Sequence, residues 1–312
     1  FFFKQKTAYE ISTRDWSSDV CSSDLSEILM SLSAFCGLEV ITYCMMPNHF
    51  HLLIRVPERR ELSDAELLGR AEEFYGKKGL LSSLAREGIE QRGKIDPHVR
   101  ETLLGRMGDL SVFMKEFKQR FSRWFNRHAD RFGTLWAERF KSVLVEDRPG
   151  ALQTVASYID LNPVRAGLVE DPKEYRHCGY AAAVGGGNGR VRRGLMGFLR
   201  GKSWAEAAAE YRTGLLLRSV ESGHSRKRAL DRETIRRLLR EGGRLSPGEV
   251  LRLRIRHLTD GVVLGSREFV DGVFERYRGR FGPRRRSGAR PIRAVPLPGL
   301  MALRDLRVDT VG

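Results

Sequence analysis

"MMPNHFHLLIRV", Met45 to Val56, decides the fold. The stretch leading into it, Leu38 to Met45, is rich in Val, Ile, Thr and Tyr and reads as a strand. Met46-Pro47-Asn48 is a turn signal, and His49 to Val56 reads as a second strand, so the pair forms a hairpin. Residues two apart on a strand share a face. Phe50, Leu52, Ile54 and Val56 therefore supply one apolar face, directed into a core. His49 and His51 share the other face, so the imidazoles need not be buried. Two imidazoles side by side make half of a metal site. His-x-His is equally the signature of two surface histidines, and the motif alone does not choose between them.

Working outward, Ser26 to Phe35 reads as the end of a helix. Glu58 to Gly108 is polar, charged and glycine-punctuated, a partly helical insertion. Asp109 to Arg127 is a strong helix, with Leu110, Phe113, Phe117 and Phe121 at spacings of three and four. Lys115, Lys118, Arg120, Arg123 and Arg127 lie between them, giving a basic face opposite a core-facing stripe. Trp136 to Glu146 reads as a strand, and Pro149 suits the first turn of a helix that runs to about Leu161 and stops at Pro163. Gly185 to Gly189 (GGGNG) reads as a linker. Beyond it the chain is arginine-rich, with candidate helices at Asp231–Arg240, Ser246–His257 and Ser266–Arg280 and a basic, loosely ordered tail.

The 312 residues carry a formal charge of +16 and a pI of about 10.1. Such an excess of Lys and Arg favours a polyanionic partner over a solvated surface alone. No apolar run is long enough for a transmembrane helix, so a soluble protein of the bacterial cytoplasm, close to the nucleoid, is expected. The cysteines, Cys21, Cys36, Cys44 and Cys178, form no CxxC pair. That excludes a disulfide framework and a cysteine zinc cluster, and fits a reducing compartment.

The opening "FFFKQKTAYEISTRDWSSDVCSSDL" has neither helical nor strand period and lacks the order of a signal peptide. It resembles the conceptual translation of a sequencing-library adapter. Residues 1–25 are accordingly set aside as an artefact, and the chain is expected to be a fragment without its natural N-terminus. The exclusion removes three basic and four acidic side chains, so the cationic balance persists.

"ALQTVASYIDLNPVRAGLV", Ala151 to Val169, has a helical stripe of Leu152, Val155, Ala156 and Ile159. Tyr158 and Asn162 lie at i and i+4 and stack on another face. A carboxamide oxygen can complete an oxygen/nitrogen metal site, and a phenol oxygen can attack beside it. Equally, Tyr158 reads as a packing residue and Asn162 as the end of a helix before proline.

At "YCMMPNHFHLL" and "YIDLNPVRAGLV" the chain resembles the single-tyrosine HUH transposases of bacterial insertion sequences, in particular the branch of REP-associated tyrosine transposases. The resemblance covers residues from about 26 to 180, apart from the insertion at about 58–108. It implies an α+β fold, a central antiparallel sheet with flanking helices (ferredoxin-like), here lacking its first strand. A domain at 26–184 would precede a mainly helical region at 185–312. It further implies cleavage and rejoining of single-stranded or hairpin DNA, a divalent metal such as Mg²⁺ or Mn²⁺, and a homodimer. On that reading His49, His51 and Asn162 are metal ligands and Tyr158 is the nucleophile. Where the family often has an aromatic-serine-serine stretch, this chain has "YRHCGY", and His177 and Cys178 take no role.

Arg165 lies close enough in sequence to assist the phenolate. Arg120, Arg123, Trp124 and Arg127 are candidates to hold the strand, through phosphate contacts and base stacking. Two other functions compete. A nucleic-acid-binding protein could keep the fold without the chemistry. A structural zinc protein would need a further strong ligand, which no cysteine pair supplies.

Overall fold

The computed structural model describes residues 2–6, 19–136, 140–186, 189–221, 262–291 and 299–303. It is an α+β protein whose chain divides into two compact units. One contains Phe1–Lys6, Ile41–Leu53 and Glu138–Gly312; the other contains Thr7–Val40 and Ile54–Ala137. Residues 26–184 are thus shared between the two.

The first unit is built on strands β1 (Phe2–Lys6), β2 (Glu39–Met46), β3 (His49–Arg55), β4 (Lys141–Val145), β5 (Val263–Gly265), β6 (Arg290–Pro291) and β7 (Met301–Leu303). Their order is β2-β3-β1-β4-β5-β7-β6. The expected hairpin is present, turning at Pro47–Asn48. The strand expected over 136–146 is confined to Lys141–Val145.

One expectation fails here. The sheet does not lack its first strand: Phe2–Lys6 lies between β3 and β4, antiparallel to both, with Lys6 opposite His49 and Lys4 opposite His51. A ladder is made from backbone N–H and C=O groups. Any proline-free extended segment can satisfy the facing edges of β3 and β4, whatever its composition. The region after residue 185 is mainly helical among its described residues, with helices Gly189–Met196 and Trp204–Glu221 ahead of a third described below. It supplies β5, parallel to β4, and β7 and β6, antiparallel beyond it. The candidate helices at 231–240 and 246–257 lie outside the described residues. The third is helix Arg267–Arg276, capped by Ser266, whose N–H and hydroxyl both bond the Glu146 carboxylate (2.6 and 3.0 Å). Val270 and Phe274 of this helix pack with Val263 and Leu303 into a small core of their own.

Pro149–Asp160, here α6, holds the tyrosine, and a second helical turn, α7 (Asn162–Arg165), follows it at once. The helix ends at its C-cap Leu161, ahead of Pro163 as expected, and Pro163 sits in the first turn of the short helix that follows. The Ile159 carbonyl, which a residue at 163 would normally bond, takes the Asn162 side-chain amide instead at 3.2 Å.

In the second unit, α1 (Asp19–Cys36) packs against α5 (Leu110–His128). Asp109 caps α5, its carboxylate accepting from Val112 N–H at 2.9 Å. Phe113, Phe117, Phe121 and Phe125 form its buried stripe. The insertion forms α2 (Asp64–Tyr75), α3 (Leu80–Arg92) and α4 (Pro97–Leu104). Ser63 and Glu66 make a reciprocal capping box, and Arg100 pairs with Asp64 across the insertion. Phe74 stacks on Phe35 of α1 at 4.7 Å, tying the insertion into this unit. Among the described residues no helix is long and apolar enough to cross a membrane.

Candidate active site

The imidazoles of His49 and His51 sit on one side of β3 with ring centroids 4.9 Å apart and planes nearly perpendicular. His51 meets the ring of Tyr158 edge-on at 5.6 Å. The guanidinium of Arg165 lies 4.4 Å over that same ring, and its Nη1 donates to the Tyr158 carbonyl at 3.2 Å. Four side chains from two distant stretches are thereby in one cluster. Continuation of α6 into α7 explains the last contact. Tyr158, Asn162 and Arg165 fall at i, i+4 and i+7, one face of a continuous helical path.

The histidine face is not open, contrary to expectation. His51 is fully buried and His49 half-buried. A strand in the interior of a sheet has both faces available for packing, and Tyr158 covers the face that the alternation assigned to polar residues. The tyrosine helix is likewise buried on more than its apolar stripe: Thr154, Ser157, Tyr158 and Asp160 are all inside. Tyr158 as a whole retains 8% exposure.

Each candidate ligand can be tested for fit. Nδ1 of His49 is 2.6 Å from Oδ1 of Asn48. An amide oxygen only accepts, so Nδ1 carries the proton and Nε2 holds the lone pair that a metal would take. The Asn162 amide nitrogen donates to the carbonyls of Tyr158 (2.8 Å) and Ile159 (3.2 Å), capping α6. This leaves Oδ1, the end of a carboxamide that binds cations. Among the described residues no three His, Cys, Asp or Glu side chains converge on one point. Two imidazoles and a carboxamide oxygen form a neutral donor set. Such a set leaves the charge of a divalent ion to be balanced by an anionic substrate, which suits phosphate chemistry.

Burial lowers the Arg165 guanidinium to about 10, still protonated at neutral pH. It is therefore a fixed cation against the phenol face. Of the helix α5 candidates, Arg123 and Arg127 are exposed, and Trp124 is half-buried against Phe121 (5.5 Å) and His128 (4.3 Å). Arg120 lies 4.4 Å over Phe74 and 3.8 Å from Glu116, so packing within its own unit already engages it. His177 is buried; its carbonyl accepts from Met45 N–H at 3.0 Å.

Compared with family models, curated proteins and solved structures, the chain gives no match.

Asp160 is the residue that sequence reasoning missed. It is wholly buried two positions after Tyr158. Its Oδ1 accepts from Thr42 Oγ1 (2.8 Å) on β2 and from Tyr180 N–H (3.3 Å); its Oδ2 accepts from Tyr211 Oη (2.6 Å). Desolvation raises the carboxyl from 3.8 to about 7, against the pull of Tyr211, Thr42 and Tyr180 N–H. A signal was available: Asp160 continues the apolar row Leu152, Ala156 at the i+4 spacing. A carboxylate there must either break the stripe or find buried donors.

Proposed function

We propose that this protein is a transposase of the REP-associated, single-tyrosine HUH type. It would cleave and rejoin single-stranded DNA with hairpin or palindromic character through a 5′-phosphotyrosine. The supporting observation is the cluster in which His49 and His51 abut Tyr158 while Arg165 covers the phenol ring. The α+β architecture is compatible with the ferredoxin-like HUH fold, which is part of the proposal.

In this reading Tyr158 Oη attacks the scissile phosphorus and the bond to the 3′ oxygen breaks. The phenol proton goes to solvent, the departing oxygen is protonated to a 3′-hydroxyl, and the phosphate remains esterified to the enzyme. The ester keeps its bond energy, so a later hydroxyl can rejoin the strand by the reverse displacement. Arg165 supplies fixed positive charge at the tyrosine as negative charge develops. Asn48 orients His49, and Asn162 closes the end of α6 on which the nucleophile stands. His49, His51 and Asn162 would hold Mg²⁺ or Mn²⁺, which when bound supplies polarisation of a non-bridging phosphate oxygen.

Burial of His51 and the slight exposure of Tyr158 favour a second reading, a nucleic-acid-binding protein without strand cleavage. One experiment decides. The chain is incubated with hairpin-bearing single-stranded DNA and Mn²⁺, then denatured. A covalent protein–DNA band that vanishes in Tyr158→Phe supports the transposase. DNA retained by the native protein with no covalent band under any condition supports the second reading.

A further inference from the structure

The loop after α5 holds an aromatic ring out in water. Phe132 is 91% exposed, whereas the phenylalanines of α5 are buried. The loop is not slack. Ala129 N–H bonds the Phe125 carbonyl, Arg131 N–H bonds the Asn126 carbonyl, and Asn126 Nδ2 bonds the Gly133 carbonyl, each at 2.9 Å. Leu135 is buried just beyond, and Trp136 Nε1 donates to the Lys118 carbonyl at 3.2 Å. Asp130 adopts the left-handed conformation (φ 43°) at the bend. Both arms are therefore anchored with Phe132 at the tip, where its ring contributes nothing to the core.

The surroundings are cationic. Lys115, Gln119, Arg123 and Arg127 make an exposed ridge at i+4 spacing, leading to the loop. His128 and Arg131 add to it, and Asp130 is the one acid in the loop. Arg127 and His128 also complement the helix dipole, and a single exposed apolar side chain is ordinary by itself. A flat ring on a pinned loop at the end of a cationic ridge is a different combination. Phosphates spaced along an unpaired strand match the ridge, and an unstacked base matches the ring. The carboxylates of an acidic protein partner carry no aromatic face, whereas every nucleotide brings both a phosphate for the ridge and a base for the ring.

We infer that Phe132, with Arg123 and Arg127, forms a stacking platform for an unpaired base of single-stranded nucleic acid. The inference rests on the nucleic-acid reading above but not on its chemistry.

The test is direct binding of a fluorescent oligothymidylate to the full chain carrying Tyr158→Phe, which blocks covalent attachment. Phe132→Ala and Phe132→Leu should each weaken binding about 5- to 100-fold, and Phe132→Trp should retain it. The salt slope should be unchanged in Phe132→Ala and reduced in Arg127→Gln. An abasic site scanned along the strand should reproduce the Phe132→Ala loss at one position. Affinities for Phe132→Ala and Phe132→Leu equal to that of the parent overturn the inference. So does a change confined to oligomeric state by sedimentation, which would make Phe132 a contact between copies. Binding through Phe132 without a Tyr158 adduct keeps this inference and removes the transposase reading; an adduct with no Phe132 effect does the reverse.

Discussion

Asp160 yields a quantitative test of the packing behind the tyrosine. Its carboxyl is enclosed and its folded value, about 7, stands above the ordinary 3.8. Between those values the folded state binds the proton and the unfolded state does not. Stability therefore falls as pH rises through this window, and the loss is complete above about 7. A displacement of about three units is worth about 4 kcal/mol at 1.36 kcal/mol per unit. In Asp160→Asn the amide is neutral throughout. Its oxygen can accept from Thr42 and Tyr180 N–H, and its nitrogen can donate to the Tyr211 hydroxyl, which rotates to accept. The assay is urea denaturation of both proteins from about pH 4.5 to about pH 8.5. The variant should gain on the parent by several kcal/mol across that range. Tyr211→Phe, which removes one donor to the carboxylate, should extend the parent's decline to higher pH. Parallel stability curves for parent and Asp160→Asn would refute a desolvated, protonated carboxyl here.

Three further outcomes follow from the geometry. Asn48→Ala frees the His49 ring, and Mn²⁺ affinity measured by calorimetry should fall about 10-fold or more with folding unchanged. A Cβ at Gly179 would press on the Thr42 side chain and come 3.0 Å from the Tyr43 nitrogen. Gly179→Ala should therefore cost about 1–3 kcal/mol in chemical denaturation. Asp171 is almost fully enclosed and is held by Arg212 at 2.6 Å. Asp171→Asn takes the balancing carboxylate away from that guanidinium and should lose about 3–5 kcal/mol, while Arg212→Met in the same background should recover part of it.

The sequence by itself determined what depends on neighbours along the chain. Alternation around His49 and His51 located the hairpin, and phenylalanines at spacings of three and four located α5. Tyr158 and Asn162 could be placed on one face because helical spacing is fixed. Backbone geometry imposes these periods, so they survive whatever packs outside them. Pro163 marked the end of α6 because it has no N–H to give the Ile159 carbonyl, which takes the Asn162 amide instead.

Tertiary structure decided everything carried by partners far apart. Thr42 and Asp160 are separated by 118 positions, and Asp160 and Tyr211 by 51. Periodicity cannot show which stripe a carboxylate finds donors on. Phe2–Lys6 enters the sheet because two facing edges need hydrogen bonds, a demand that composition does not express. His51 is buried because Tyr158 covers its face. The exposure of a residue belongs to what packs on it, and that partner comes from a distant stretch of chain.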